Sequence, residues 1–327
     1  MSLAASVRAA VQSRAFAGSS RVHVLAAAAD LARLGADSVL GVVFFGSRRS
    51  GAARADSWSA HDFFVVVRAY FPFYEALHAR GVIHRGPMLM AAVSRILPPS
   101  QVSLQLAGEA GQPFHAKCSV IDLRTFERET SSSRRDHFCS GRLFQPSEVV
   151  HAADTAVREA LQDALVNAHT ETFRWVRPWL PAHFDAEAYC LTLLRVSLSR
   201  EIRPEPGGRA QALFAAQRTE LVPVYQDLLA GLVAAGELSR GPEGLSLVRP
   251  VRFGERLRLR AYFWRSLVRA TVRWLKHIVT FEGWLDYIVR KLRRHAGPQM
   301  ELTPQERRLP LLFLWPRLFR YLRQKNR

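Results

Sequence analysis

The stretch Ser38-Val39-Leu40-Gly41-Val42-Val43-Phe44-Phe45-Gly46-Ser47-Arg48-Arg49-Ser50-Gly51 is an apolar run that ends in a glycine-serine turn. Branched and aromatic residues bounded by small turn formers read as a buried strand. Eleven residues after Gly51 begins Asp62-Phe63-Phe64-Val65-Val66-Val67, a second run of strand type headed by a carboxylate. Residues 21–34 have helical spacing ahead of the first strand, and helical spacing returns from Tyr74 to His78 and onward. Residues 114–123, with the core Lys117-Cys118-Ser119-Val120-Ile121-Asp122, form a third strand run. Strands and helices in alternation over residues 1–150 predict an α/β or α+β domain.

Around Pro146 the pattern changes. Residues 152–167 and 186–198 have helical apolar spacing, and Arg203-Pro204-Glu205-Pro206-Gly207-Gly208-Arg209 is a loop by composition. Residues 222–235 read as a helix stopped by Gly236. Residues 237–248 then form two short strands around a Pro242-Glu243-Gly244 turn. Helices followed by a hairpin predict a winged-helix-like module over residues 151–250, and residues 251–327 form a third region.

The glycine-serine turn has a chemical reading. Glycine lets the backbone approach a phosphate, turn amides bind the anion, and the Ser47 hydroxyl adds a donor. That combination grips the tail of a nucleoside triphosphate. Asp62 on the next strand would hold a divalent cation that neutralises the phosphates while the α-phosphate is attacked and pyrophosphate leaves. The usual nucleotidyltransferase pattern is Asp-x-Asp, and here Phe64 occupies the second position. Asp122 or Asp56 is available as a further metal ligand. The plainer alternative is an ordinary turn followed by an aspartate that starts a strand.

Taken together, Gly46-Ser47, Asp62-Phe63-Phe64-Val65, Lys117-Cys118-Ser119-Val120-Ile121 and Ser140-Gly141-Arg142-Leu143-Phe144-Gln145-Pro146 resemble the mitochondrial phosphatidate cytidylyltransferase family, the translocator-maintenance type of CDP-diacylglycerol synthase. The resemblance covers residues 38–150 and, more loosely, residues 276–297, where Phe281-Glu282-Gly283-Trp284-Leu285-Asp286-Tyr287 precedes a basic segment. It implies an α+β nucleotidyltransferase fold with a mixed sheet, followed by the winged-helix-like domain. It also implies a magnesium-dependent reaction of CTP with phosphatidic acid that gives CDP-diacylglycerol and pyrophosphate. Gly46 and Ser47 would then bind the triphosphate and Asp62 the metal. Lys117 would offset phosphate charge, and Arg142 would fork onto phosphate oxygens. The sequence departs from the family at Cys118 and Ser119, where the family has Tyr-Gly, and at Gln145, where it usually has Lys.

Charge points the same way. The chain has 327 residues and a formal net charge of +18, and residues 251–327 hold 19 Lys and Arg against 5 Asp and Glu. A basic excess so localised implies an anionic partner. Trp264, Leu267, Val268, Thr271, Val272, Leu275, Ile278 and Val279 recur at helical steps, with Arg265, Arg269, Arg273 and Lys276 on another stripe. With Trp264 and Trp274 at the apolar edge, such a helix is suited to lie in an anionic lipid interface, and the segment around Trp315 adds a second weak anchor. The alternative is an amphipathic helix packed on the core with a solvated basic face.

These features predict a peripheral membrane protein on the cytoplasmic or matrix-equivalent face, with no stable nucleic-acid partner. Residues 309–319 are broken by Pro310, Pro316 and Arg317 and fall short of the ~20 residues that a span requires. Cys118, Cys139 and Cys190 are too scattered for a CxxC metal site or an even disulfide set. Residues 1–29 superficially have the composition of a transit peptide, but the favoured reading is the helix that leads into the first strand. Two other readings stay open: a nucleotidyltransferase that modifies RNA or protein, and a binding protein of the same fold without a working metal site.

Overall fold

The computed structural model describes residues 7–9, 11, 20–49, 60–107, 113–199, 208–280 and 303–308. Its centre is a five-stranded mixed sheet made of β1 (Val39–Phe45), β2 (His61–Val67), β3 (Ser100–Ala107), β4 (Pro113–Asp122) and β5 (Glu148–Ala152). The order across the sheet is β3-β4-β2-β1-β5. β1 runs antiparallel to β2 and β5, β2 runs parallel to β4, and β4 runs antiparallel to β3.

Helices cover both faces, which is why every residue of β1 is buried and its sequence is apolar without alternation. On one face Phe44, Phe63, Val65 and Val120 pack against α1 (Ser20–Gly35), α2 (Tyr70–Ala79) and α3 (Pro87–Ile96). On the other, Val43, Phe45, Phe64, Val66 and Ile121 join a core shared with the later helices. These are α4 (Leu123–Thr130), α5 (Ser140–Leu143), α6 (Thr155–Thr170), α7 (Thr172–Val176), α8 (Ala186–Ser199) and α9 (Arg209–Ala234). The expected loop over residues 203–209 lies mostly outside the described residues.

A two-stranded hairpin, β6 (Leu238–Gly241) and β7 (Gly244–Leu247), follows α9 as the turn chemistry predicts. Phe184 and Leu245 exchange backbone hydrogen bonds of 3.0 and 2.8 Å, which tie the hairpin to the turn before α8. The chain then enters α10 (Phe253–Thr280), 28 residues and about 42 Å long. A short α11 (Pro304–Arg308) is the last described element. Among the described residues no helix is long and apolar enough to cross a membrane. Cys118, Cys139 and Cys190 are all buried free thiols.

The seating of α10 overturns one expectation. The later part of its basic stripe faces the protein, with Arg273 only 2% exposed and Lys276 8% exposed. Arg269 Nε and Arg273 Nη2 donate to Asp136 Oδ2 at 2.8 and 2.7 Å. Lys276 Nζ donates to the carbonyls of Leu97 and Pro99 and to Ser100 Oγ. The Asp136 carboxylate pairs the two guanidinium groups, and the loop carbonyls and Ser100 hydroxyl accept from the Lys276 amine, so none of these polar groups is buried without a hydrogen bond. Arg269, Arg273 and Lys276 therefore are not the lipid-facing residues that the helical spacing suggested. The outward stripe is instead apolar: Phe253, Leu257, Trp264, Leu267, Val268 and Val272 are all exposed. Arg265 is exposed beside them. The Trp274 side chain and Trp315, the other expected membrane residues, lie outside the described residues.

Candidate functional site

Gly46 follows the last residue of β1, and Phe45 sits opposite Asp62 in the β1–β2 register. Gly46 has φ +89°, a conformation that side chains disfavour. A Cβ built there would lie 2.7 Å from Asp62 Oδ2. Glycine is thus demanded twice, by the backbone angle and by the approach of the carboxylate. The turn closes with Arg49 N–H donating to Gly46 O at 3.0 Å, which leaves Ser47 half-buried at its corner. Ser50, Gly51 and Asp56, from the same stretch of sequence, lie outside the described residues.

Side chains alternate along β2, so Asp62 shares the face of Phe64 and Val66, toward the later helices. Lys117 is its direct neighbour on the parallel strand β4, and Lys117 Nζ stands 4.0 Å from Asp62 Oδ1. Both side chains are partly open to solvent. One carboxylate oxygen therefore faces the lysine and the other faces the glycine turn. On the opposite face His61 stacks on Phe114 with ring centroids 4.1 Å apart. Burial, then the charges of Arg48 and His23, pull its imidazole down to about 4 against a backbone hydrogen bond with His115. Asp62 therefore has a neutral imidazole as its chain neighbour at neutral pH.

Asp122 does not join this cluster. It pairs with Val67 at the far end of the same two strands, five residues along from the Asp62–Lys117 pair, or about 17 Å at strand rise. Its carboxylate accepts the Thr125 N–H at 2.9 Å as the N-cap of α4, and its own N–H donates to Tyr70 Oη. Asp122, which the sequence offered as a further metal ligand, is thus a helix cap that stands apart from Asp62. Among the described residues no group of three His, Cys, Asp or Glu is placed to hold a metal ion. Of the candidate metal ligands Asp62, Asp122 and Asp56, only Asp62 lies in this cluster among the described residues. This suits magnesium, which commonly takes one or two carboxylates and completes its shell with water and substrate phosphate.

Arg142 sits in α5, in a tight spot where a Cβ on neighbouring Gly141 would fall 2.8 Å from the His137 ring. Its Nη1 donates to Phe138 O at 2.8 Å, and its guanidinium stacks 3.8 Å over the Phe138 ring. That ring meets Phe64 edge-on, with centroids 6.3 Å apart, so Arg142 approaches the Asp62 face through Phe138.

Residues not singled out by motif hold these parts together. Arg49, 3% exposed, makes two contacts with Glu220 of α9, Nη1 to Oε1 at 3.2 Å and Nη2 to Oε2 at 2.9 Å. Its Nε lies 3.9 Å from Glu148 Oε2 on β5, and Arg21 of α1 meets the other Glu148 oxygen at 3.0 Å. Gln217, one turn before Glu220, donates to Gln145 at 3.3 Å, and Tyr225 Oη donates to Phe144 O at 3.0 Å. Arg49 lay inside the quoted turn, but a partner 171 residues away leaves no trace in local sequence. No protein-family model and no curated protein sequence matches the chain.

Proposed function

We propose that this chain is a magnesium-dependent nucleotidyltransferase that makes CDP-diacylglycerol from CTP and phosphatidic acid at an anionic membrane surface. The observation that carries this reading is the close approach of Gly46 to Asp62, with Lys117 on the next strand. A turn with no side chain at its bend, a hydroxyl at Ser47, a carboxylate and a cation converge there, as needed to seat a triphosphate with its counter-ion. On this reading the five-stranded sheet is of nucleotidyltransferase type, and the helices closed by the β6–β7 hairpin are the winged-helix-like domain.

In the reaction a phosphate oxygen of phosphatidic acid attacks the α-phosphorus of CTP. The bond from that phosphorus to the bridging oxygen breaks, and pyrophosphate departs. Gly46 and Ser47 bind the β- and γ-phosphates. Lys117 offsets their charge as a point cation, and Arg142 is the fork for phosphate oxygens that the resemblance assigns. Asp62 would hold magnesium, which when bound supplies charge neutralisation at the phosphates.

The exposed apolar stripe of α10 is the membrane contact in this reading. Phe253, Leu257, Trp264, Val268 and Val272 enter the interface, and exposed Arg252, Arg256, Arg260 and Arg265 reach anionic headgroups.

Purified protein with CTP, magnesium and phosphatidic acid vesicles is expected to release pyrophosphate and form a cytidylylated lipid. Asp62→Asn is expected to abolish both without shifting the thermal transition. Pyrophosphate release unaffected by Asp62→Asn would remove the site. Binding of RNA but not of anionic vesicles at physiological salt would transfer the activity to another acceptor.

A further inference from the structure

The two segments assigned above to phosphate binding are separated by about a hundred residues of sequence, and one helix touches both. α9 presents Gln217, Glu220 and Tyr225 from successive turns. Glu220 takes the Arg49 guanidinium through both carboxylate oxygens, and Arg49 is the residue whose N–H closes the turn on Gly46. Gln217 Nε2 holds the Gln145 side chain, whose own amide nitrogen donates to Gly141 O at 3.1 Å. Tyr225, fully buried, holds the Phe144 carbonyl. The turn at 46–49 is thus fastened at its C-terminal end, and the segment 141–145 is fastened at two points, by side chains of the same helix.

We infer that α9 is the brace that sets the spacing between the Gly46-Ser47 turn and the Arg142 segment, with Glu220 and Gln217 as positioning residues for the triphosphate. This inference rests on the nucleotidyltransferase reading. Arg49 is almost fully buried, so its charge needs the Glu220 and Glu148 carboxylates close by. Without Glu220 the guanidinium retains Glu148 at 3.9 Å and turns toward it or toward water. Either movement carries the backbone of Arg49, and with it the hydrogen bond to Gly46 O. A two-oxygen grip on a planar guanidinium fixes direction as well as distance, which a point contact does not. Gln145 acquires a purpose here: a neutral amide donates to Gly141 O and accepts from Gln217 at once, which a lysine at this position cannot do.

The test uses the full chain with Glu220→Gln, Glu220→Asp and Gln217→Ala. Mg·CTP affinity is read by calorimetry, the KM values for CTP and for phosphatidic acid are read separately, and amide exchange is followed over residues 46–49. Glu220→Gln is expected to weaken CTP binding and raise its KM about tenfold or more, as sub-ångström misplacement of a binding loop does. The KM for phosphatidic acid is expected to stay unchanged and the Arg49 amide to exchange faster. Glu220→Asp, which keeps the charge, restores part of the affinity. Gln217→Ala weakens CTP binding while leaving exchange at 46–49 as in the wild type, because its contact is with the other segment.

Wild-type CTP affinity in Glu220→Gln, or an equal loss toward both substrates with a collapsed thermal transition, would overturn the brace while leaving the nucleotidyltransferase reading in place. A wild-type chain that binds no Mg·CTP would instead remove that reading, and the inference with it.

Discussion

Arg273 Nη2 lies 2.7 Å from Asp136 Oδ2, with the two side chains only 2% and 3% exposed. The same nitrogen donates to Pro98 O at 2.9 Å, and the Arg273 guanidinium carbon lies 4.6 Å from the Phe138 ring centroid. Phe138 thus contacts both the Arg273 and the Arg142 guanidinium groups, and links the outer helix α10 to the Arg142 segment. Asp136 also accepts from Arg269 and from Phe138 N–H, so its carboxylate is satisfied on both oxygens.

Removal of this carboxylate leaves two arginines sharing a buried site without a counter-charge. Asp136→Asn is expected to lower unfolding free energy by about 3 kcal/mol, the range found when one partner of a buried ion pair is lost. The urea midpoint at pH 7 measures it. A loss below about 1 kcal/mol would mean that α10 is held mainly by Phe263 and its aromatic neighbours.

Two groups on this interface set a pH dependence of stability. Burial acts to raise Asp136, but the charge of Arg273, the Arg269 hydrogen bond, the Phe138 N–H and the Arg269 charge outweigh it and hold the carboxyl below its usual range. Its contribution is present above the unfolded pKa of about 3.9 and is lost as pH falls through the lower folded value. Lys276 is pulled down to about 6 by burial, then by Arg273 and Arg269. The unfolded chain keeps that proton up to about 10.4, so folding releases it and stability rises with pH between about 6 and about 10. Urea midpoints at pH 6 and pH 9 are expected to differ in favour of pH 9, and Lys276→Met removes part of that rise. An identical rise in the variant would assign it to other groups.

Gly46→Ala places a methyl 2.7 Å from Asp62 Oδ2 at φ +89°. It is expected to cost about 1–3 kcal/mol in stability through backbone strain. The displaced carboxylate should lower CTP turnover by about a hundredfold. Gly86→Ala is the control, since a Cβ there meets nothing within 4 Å. Equal losses in the two variants would show that glycine at position 46 has no special part in the site.

The inward turn of the basic stripe separates two kinds of α10 variant. Trp264→Asp combined with Val268→Asp is expected to reduce cosedimentation with phosphatidic acid vesicles at least about tenfold, because two exposed apolar side chains lose their burial in the interface. Arg265→Gln weakens binding less, and mainly at low salt. Arg273→Gln lowers the thermal transition and leaves the vesicle affinity of the still-folded protein unchanged. A selective loss of vesicle binding in Arg273→Gln would mean that the stripe turns outward on the membrane.

Strand-forming residues at 39–45 and 63–67 are legible without a structure because burial on both faces leaves them uniformly apolar. The hairpin at 238–247 is legible from its Pro-Glu-Gly turn, and Gly46-Ser47 with Asp62 from the change of composition where the strand ends. β3 is not legible in the same way, since Ser100, Gln101, Ser103 and Gln105 dilute its apolar positions, and β5 is half-buried throughout. These strands form because β4 and β1 offer them a free edge to pair with.

Helical period likewise reveals that α10 has an apolar stripe and a basic stripe, but not which one turns inward. That choice was made by Asp136 and the carbonyls of Leu97, Pro98 and Pro99, all more than a hundred residues away in the chain. The sequence by itself determined the local elements and the residue types that can hold a phosphate. Tertiary structure alone decided that Asp62 keeps Lys117 and loses Asp122, that Glu220 holds Arg49, and that Arg273 and Lys276 of α10 are buried. Each of these depends on electrostatic pairing between groups brought close only when the sheet and helices pack.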